Sequence, residues 1–146
     1  MQTASRKAPW HLWVVGVIAV LFNSIGVFDF TMSKIQGPAY MASAGMTPDQ
    51  IAHYQQMPAW MMFVWALGVF TAFGASILLL LRRKSAAPIF ALSLAAFLLS
   101  LFYTYVITNG GAVMGQQMAT VSVVIAVLLL LFAMYAYWAK KRLILR

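Results

Sequence analysis

The sequence predicts an all-α integral membrane protein with four transmembrane helices in an antiparallel bundle. Three observations predict it. Of 146 residues, 64% are hydrophobic and only 8% are charged, where soluble domains carry about 25% charged residues. Four apolar runs each approach or exceed the roughly 20 residues that cross a bilayer as a helix. Nine of the ten basic residues fall on one side of the topology these runs define, which is the asymmetry of a multi-pass protein with its basic loops inside.

The runs cover about 10–32, 59–81, 86–108 and 115–138, and residues 1–146 make a single domain. Arg6 and Lys7 precede the first. A basic start before an apolar run also fits a signal peptide, with "ASA" at 42–44 as the cleavage site. The run is too long for that and the site too far beyond it, so an uncleaved first helix is expected. Pro9, Pro58 and Pro88 stand near the starts of the first three runs, where a missing N–H costs little. Gly110 and Gly111 break the chain before the fourth.

Residues 33–57 form the long outer connection. Gly37-Pro38 marks a turn. "TPDQ" at 47–50 is a capping box, with Thr47 as N-cap and Gln50 three residues on, so a short amphipathic helix is expected over about 48–56. The other two connections are short, which makes consecutive helices antiparallel neighbours.

Arg82, Arg83 and Lys84 follow the second run, and Lys140, Lys141, Arg142 and Arg146 follow the fourth; Lys34 alone lies outside. Both termini are therefore expected in the cytoplasm. The basic clusters read as anchors on anionic lipid headgroups, not as a nucleic-acid face. Trp10, Trp13 and Trp138 at inner helix ends, and Trp60 at an outer one, read as interfacial aromatics.

Small residues recur at helical spacing. The first helix offers Gly16, Ala19, Asn23 and Gly26, the second Gly68, Ala72 and Ser76, and the third Ala87, Ala91 and Ala95, with Ser93 and Ser100 beside them. Such stripes let helices approach closely in lipid. They serve packing within the bundle or a seam for a second copy or a larger membrane-protein partner, and spacing does not separate the two.

Chemistry is sparse. The chain has no cysteine and two histidines, His11 and His53, on opposite sides of the membrane. Neither a thiolate metal centre nor a histidine cluster is expected. No Ser–His–acid set assembles from two acids and two distant histidines. The expectation is a protein that is not an enzyme and carries no metal or cofactor. Polar residues within membrane helices tend to mark function. Asn23 lies roughly 17 Å beyond Leu12 along a helix, and Asp29 roughly 26 Å. Tyr103, Tyr105, Asn109, Gln116 and Gln117 gather at the same outer level. The functional reading is an outward-facing pocket lined by Asn23, Asp29, Tyr103, Tyr105 and Gln117, with His53 or Tyr54 as a lid. The structural reading pairs Asp29 with Lys34 and makes Asn23 an interhelical hydrogen bond.

The stretches "LFNSIGVFDF" (21–30), "MPAWMMFVWALGVFTAFGASILLLLRR" (57–83) and "FALSLAAFLLSLFYTYV" (90–106) resemble a family of small bacterial inner-membrane proteins often labelled "sugar transporter". The resemblance implies a four-helix fold and an inner-membrane location. Two functions are carried forward: a transporter or a solute- or lipid-binding protein, and an accessory or scaffold subunit without transport activity.

Overall fold

A computed structural model describes residues 7–108 and 110–146; Arg6 and Asn109, singled out above, lie outside the described residues. The described residues form helices throughout, with no strand among them. Four of the helices are long and apolar enough to cross a membrane, and they pack against one another as a bundle. The chain is built as a multi-pass membrane protein.

Helix α1 spans Trp10–Ile35, three residues past the expected end, because nothing in "TMSKI" breaks it before Gly37 and Lys34 suits the negative end of its dipole. Gly37 makes the turn at φ 60°. The connection is more helical than expected. Pro38 opens α2 (Pro38–Ser43) instead of simply completing a turn, since a proline at the first helical position forfeits no intrahelical bond. Helix α3 is Pro48–Gln55. Its capping box is formed as predicted: Gln50 N–H donates to Thr47 Oγ1 at 3.2 Å, and Thr47 N–H donates to Gln50 Oε1 at 3.1 Å.

Helix α4 covers Ala59–Leu80 and α5 covers Ala86–Phe102. The third span then continues as a π-helix over Tyr103–Ile107. The last helix, α6, is Gly111–Lys141, interrupted at Gly115 (φ 75°, ψ 175°). Its uninterrupted part therefore begins where the sequence places it and ends three residues later.

The spans neighbour one another in chain order, α1 on α4, α4 on α5, and α5 on α6. Small residues make this possible. Leu12, Gly16, Ala19 and Asn23 form the buried stripe of α1, and a Cβ on Gly16 would run into the Leu80 side chain. Between α1 and α6 the contact is made by long side chains. His11 Nδ1 and the Tyr135 hydroxyl share a 2.6 Å hydrogen bond, and the rings of Phe22 and Phe132 meet at 6.2 Å.

The half of the bundle that carries the basic residues after α4 and α6, called the inner half, is solid; the opposite one is called the outer half. Leu12, Ala75, Leu79, Phe90, Phe132 and Ala136 are at the centre of the inner half. The chain after α6 closes its end. Leu143 adopts φ 61°, and Ile144 and Leu145 turn back into the core. Arg146 N–H donates to Arg82 O at 2.5 Å, Lys84 N–H to Arg146 O at 2.9 Å and Arg82 Nε to Ile144 O at 3.0 Å. The connection after α4 and the end of the chain thus form one basic cap. Arg142 and Lys140 lie near the rings of Trp138 and Tyr137, at 5.9 and 6.0 Å. Outward-facing side chains such as Leu21, Phe63 and Val123 are exposed, as the lipid-facing side of a spanning helix should be.

Candidate functional site

The outer half of the bundle is hollow. A cavity of about 360 Å³ lies between all four spans and under the α2–α3 connection. Each helix gives it one face. Helix α5 and the π-helix contribute Ser93, Ala96, Phe97, Ser100 and Thr104, at spacings of three and four. Helix α6 contributes Met114, Met118, Ser122, Ile125 and Leu129 in the same way. Such spacings put side chains on one face of a helix. Phe22, Ala72 and Leu129 form the floor. Below the floor the Phe22 ring meets Phe132 at 6.2 Å and Phe132 meets Phe90 at 5.9 Å, so the floor rests on the inner core.

Asn23 is the deepest polar group of the site, 5% exposed. Its Nδ2 donates to Ala19 O and to Ser76 Oγ, both at 2.8 Å, while Ser76 donates onward to Ala72 O at 2.8 Å. Because the Ser76 proton is committed to Ala72, Ser76 can only accept from Asn23. This fixes the amide orientation. One amide proton therefore joins α1 to α4 and the other stays within α1. Oδ1 takes no hydrogen bond among the described residues, and Asn23 lines the cavity. Ser93 on α5 makes a second polar link, donating to Gly68 O on α4 at 2.8 Å.

At the mouth, Asp29 is exposed and Tyr40 half-buried. The Tyr40 hydroxyl donates to Asp29 Oδ1 at 3.0 Å. The expected pairing with Lys34 is absent: among the described residues Asp29 makes no ion pair, because α1 remains helical through Ile35 and carries Lys34 round its axis. The Tyr40 phenol is pushed above its ordinary range by desolvation, by this hydrogen bond and by the carboxylate charge. The Tyr54 phenol is raised as well, first by burial, then by Asp29 and Tyr105. Tyr54 stacks at 5.6 Å from Trp65, and Trp65 meets Phe30 edge-on at 4.8 Å.

Of the residues predicted for a pocket, Asn23, Asp29, Tyr54 and Tyr105 line this cavity. Three others do not. Tyr103 is buried against Trp60, ring centroids 5.5 Å apart. Gln117 is exposed, one position and so about 100° away from the face that carries Met118. His53 sits behind the site. Its Nε2 is buried without a hydrogen-bond partner, and burial lowers its pKa from 6.5. Gly110 makes room for it: a Cβ there would stand 3.1 Å from His53 Cε1 and 2.9 Å from Thr104 O.

The residues not anticipated for the site are Tyr40, Trp65, Ser93, Ser100, Thr104 and Ser122. The two serines of α5 are visible in the sequence as a seven-residue repeat, which reads as packing. Thr104 and Tyr105 point inward together because the π-helix shifts the register there. Helix α3 is tied over the site by Gln50, whose Nε2 donates to Val113 O and Met114 O at 3.2 and 3.0 Å. Those carbonyls precede the break at Gly115, so Gln50 serves backbone groups that a continuous helix would satisfy itself.

Fold and site together define a four-helix membrane protein with a cavity in one half of its bundle. Comparison with models of known protein families, with curated proteins and with solved structures finds no match.

Proposed function

We propose that this chain is an inner-membrane solute-binding protein or small transporter, in which the cavity receives an amphiphilic small molecule from the outer side. The observation that supports this most is the contrast between a packed inner half and a cavity of about 360 Å³ in the outer half. Sites for small molecules are concave and mostly apolar, with a few converging polar groups. Here those groups are Asn23 Oδ1, Ser100, Thr104, Tyr105 and Asp29. The orientation belongs to the same reading: the basic cap faces the cytoplasm with both termini, and anionic headgroups lie against Arg83, Lys84, Lys141 and Arg142. So does membership of the family that residues 21–30, 57–83 and 90–106 resemble.

The test uses the protein in phosphatidylcholine nanodiscs with the neutral dye 1-aminoanthracene, empty discs being subtracted. Saturable binding that Ser122→Phe abolishes supports the reading, because that side chain would project into the cavity. Absence of saturable binding overturns it.

A second reading, an accessory subunit for a larger membrane protein, draws on one observation. Ala91 and Ala95 of α5 do not reach the core; with Leu130 and Met134 of α6 they line a shallow groove on the outside of the bundle. Co-purification of a larger partner lost on Ala95→Phe would favour that reading.

A further inference from the structure

The geometry points to a ligand class for this cavity: we infer that it binds a lipophilic organic cation, with the positive group beside Asp29 and among the aromatic rings of the mouth. The inference rests on the binding reading above and goes beyond it.

Three features carry it. First, charge: Asp29 is the one carboxylate in the lining, and no lysine, arginine or histidine lines the cavity among the described residues. Lys34, five residues on, does not pair with it. The acid is held by one phenol, Tyr40, which leaves Oδ2 without a hydrogen bond among the described residues. A negative group at the edge of an apolar enclosure is best completed by a cation. A neutral guest would only strip water from it.

Second, aromatic walls. Phe28, Tyr40, Tyr54, Trp65 and Tyr105 line the same end of the cavity. They are connected by contacts: Phe28 with Tyr40 at 6.3 Å, and Tyr54 with Trp65 at 5.6 Å. Aromatic faces attract cations through their quadrupole, most of all poorly hydrated organic ones. The Tyr40 and Tyr54 phenols are raised first by desolvation and further by the Asp29 charge beside these rings.

Third, depth. Beyond the mouth the walls are Val64, Val69, Phe97, Met118 and Ile125, which suit a hydrophobic body and not a hydrated metal ion. A hard metal cation would also need several oxygen ligands, and the mouth offers a single carboxylate.

The probe is tetraphenylphosphonium, measured by displacement of 1-aminoanthracene from the protein in phosphatidylcholine nanodiscs. The expected result is saturable displacement by wild type, weakened about tenfold in Asp29→Asn, as for loss of a partly solvated charge contact. Asp29→Glu restores it, each displacement being read against the dye affinity of the same variant. If the dye binds and Ser122→Phe abolishes its binding, but the cation displaces it equally from wild type and Asp29→Asn, the cation inference is overturned and the cavity reading survives. If neither probe binds saturably, both are overturned.

Discussion

The two halves of the bundle are made from the same four helices and differ in what fills them. In the inner half the side chains between helices are alanines, leucines and phenylalanines in direct contact, and Ile144 and Leu145 fold back to close the end. In the outer half the helices have equally small contact residues, Gly26, Gly68 and Ala96, yet the centre is empty. The difference lies in the backbone. The inner ends are regular helices, whereas the outer ends carry a π-helix at Tyr103–Ile107, a break at Gly115 and a connection that folds over the top. Irregular backbone at membrane depth is tolerated where it lines a cavity and its polar groups are satisfied. Interruptions of this kind are frequent at functional sites. Stability resides at one end and capacity at the other.

The comparison predicts unequal responses to equal substitutions. The largest effect belongs to Gly16→Ala, whose Cβ has no space beside Leu80; thermal unfolding in detergent should show a loss of about 1–3 kcal/mol, the range for overpacking. Gly26→Ala, ten residues along the same helix, meets Val69 at an ordinary 3.6 Å and should stay within about 0.5 kcal/mol of wild type. Equal losses at the two glycines would erase the distinction between the halves.

Asn23 lies at the border. Asn23→Leu and Ser76→Ala, with the double variant, should give a coupling of about 0.6 kcal/mol, the average measured for interhelical hydrogen bonds in membranes. A coupling of zero would mean that the link between α1 and α4 does not hold in lipid.

The next effect is confined to the outer half. Gln50→Ala removes the side-chain half of the α3 capping box and the tie to Val113 and Met114. Hydrogen exchange should rise over residues 47–56 and 111–115 and remain unchanged over 130–145. The smallest effect is a pH dependence. His53 has its pKa lowered by burial, so the folded state binds a proton less readily than the unfolded one. The seat of α3 is then fully stable above the unfolded value of 6.5 and weakens as pH falls below it. Exchange in α3, corrected for intrinsic rates, should increase from pH 7.5 to pH 5.5, and His53→Gln should remove that increase.

Much of the inner half is legible in the sequence. The lengths of the apolar runs, the proline starts and the stripe Gly16–Ala19–Asn23 determine which faces meet, because small residues at helical spacing have a local signature. Asn23 is likewise readable as deep, and its hydrogen bond to a neighbouring helix is among the readings its depth allows. The outer half is less legible. "YTYVI" at 103–107 contains no glycine or proline to announce a π-helix, so the inward turn of Thr104 and Tyr105, and the diversion of Tyr103 towards Trp60, follow only from the folded chain. Gln117 is misplaced for a related reason: its polarity suggests a pocket residue, but the phase after Gly115 gives the cavity face to Met118 and Ser122. Tyr40 reaches Asp29 only because α2 forms where the sequence suggests a turn. The tail "LILR" looks like a basic end, and its two buried apolar side chains become apparent only when Arg82 and Lys84 are seen to bond with it.

The central claim is that the outer half of the bundle is an accessible cavity and the inner half a solid core. Since the chain has no cysteine, single cysteines report accessibility without background. Ser100→Cys in the cavity wall and Ala136→Cys in the inner core, reconstituted in vesicles, are treated with a membrane-impermeant methanethiosulfonate reagent, which reacts with thiolates that water reaches. The account predicts modification of Ser100→Cys from the side opposite the basic cap, and none of Ala136→Cys from either side. Equal protection of both positions would contradict it.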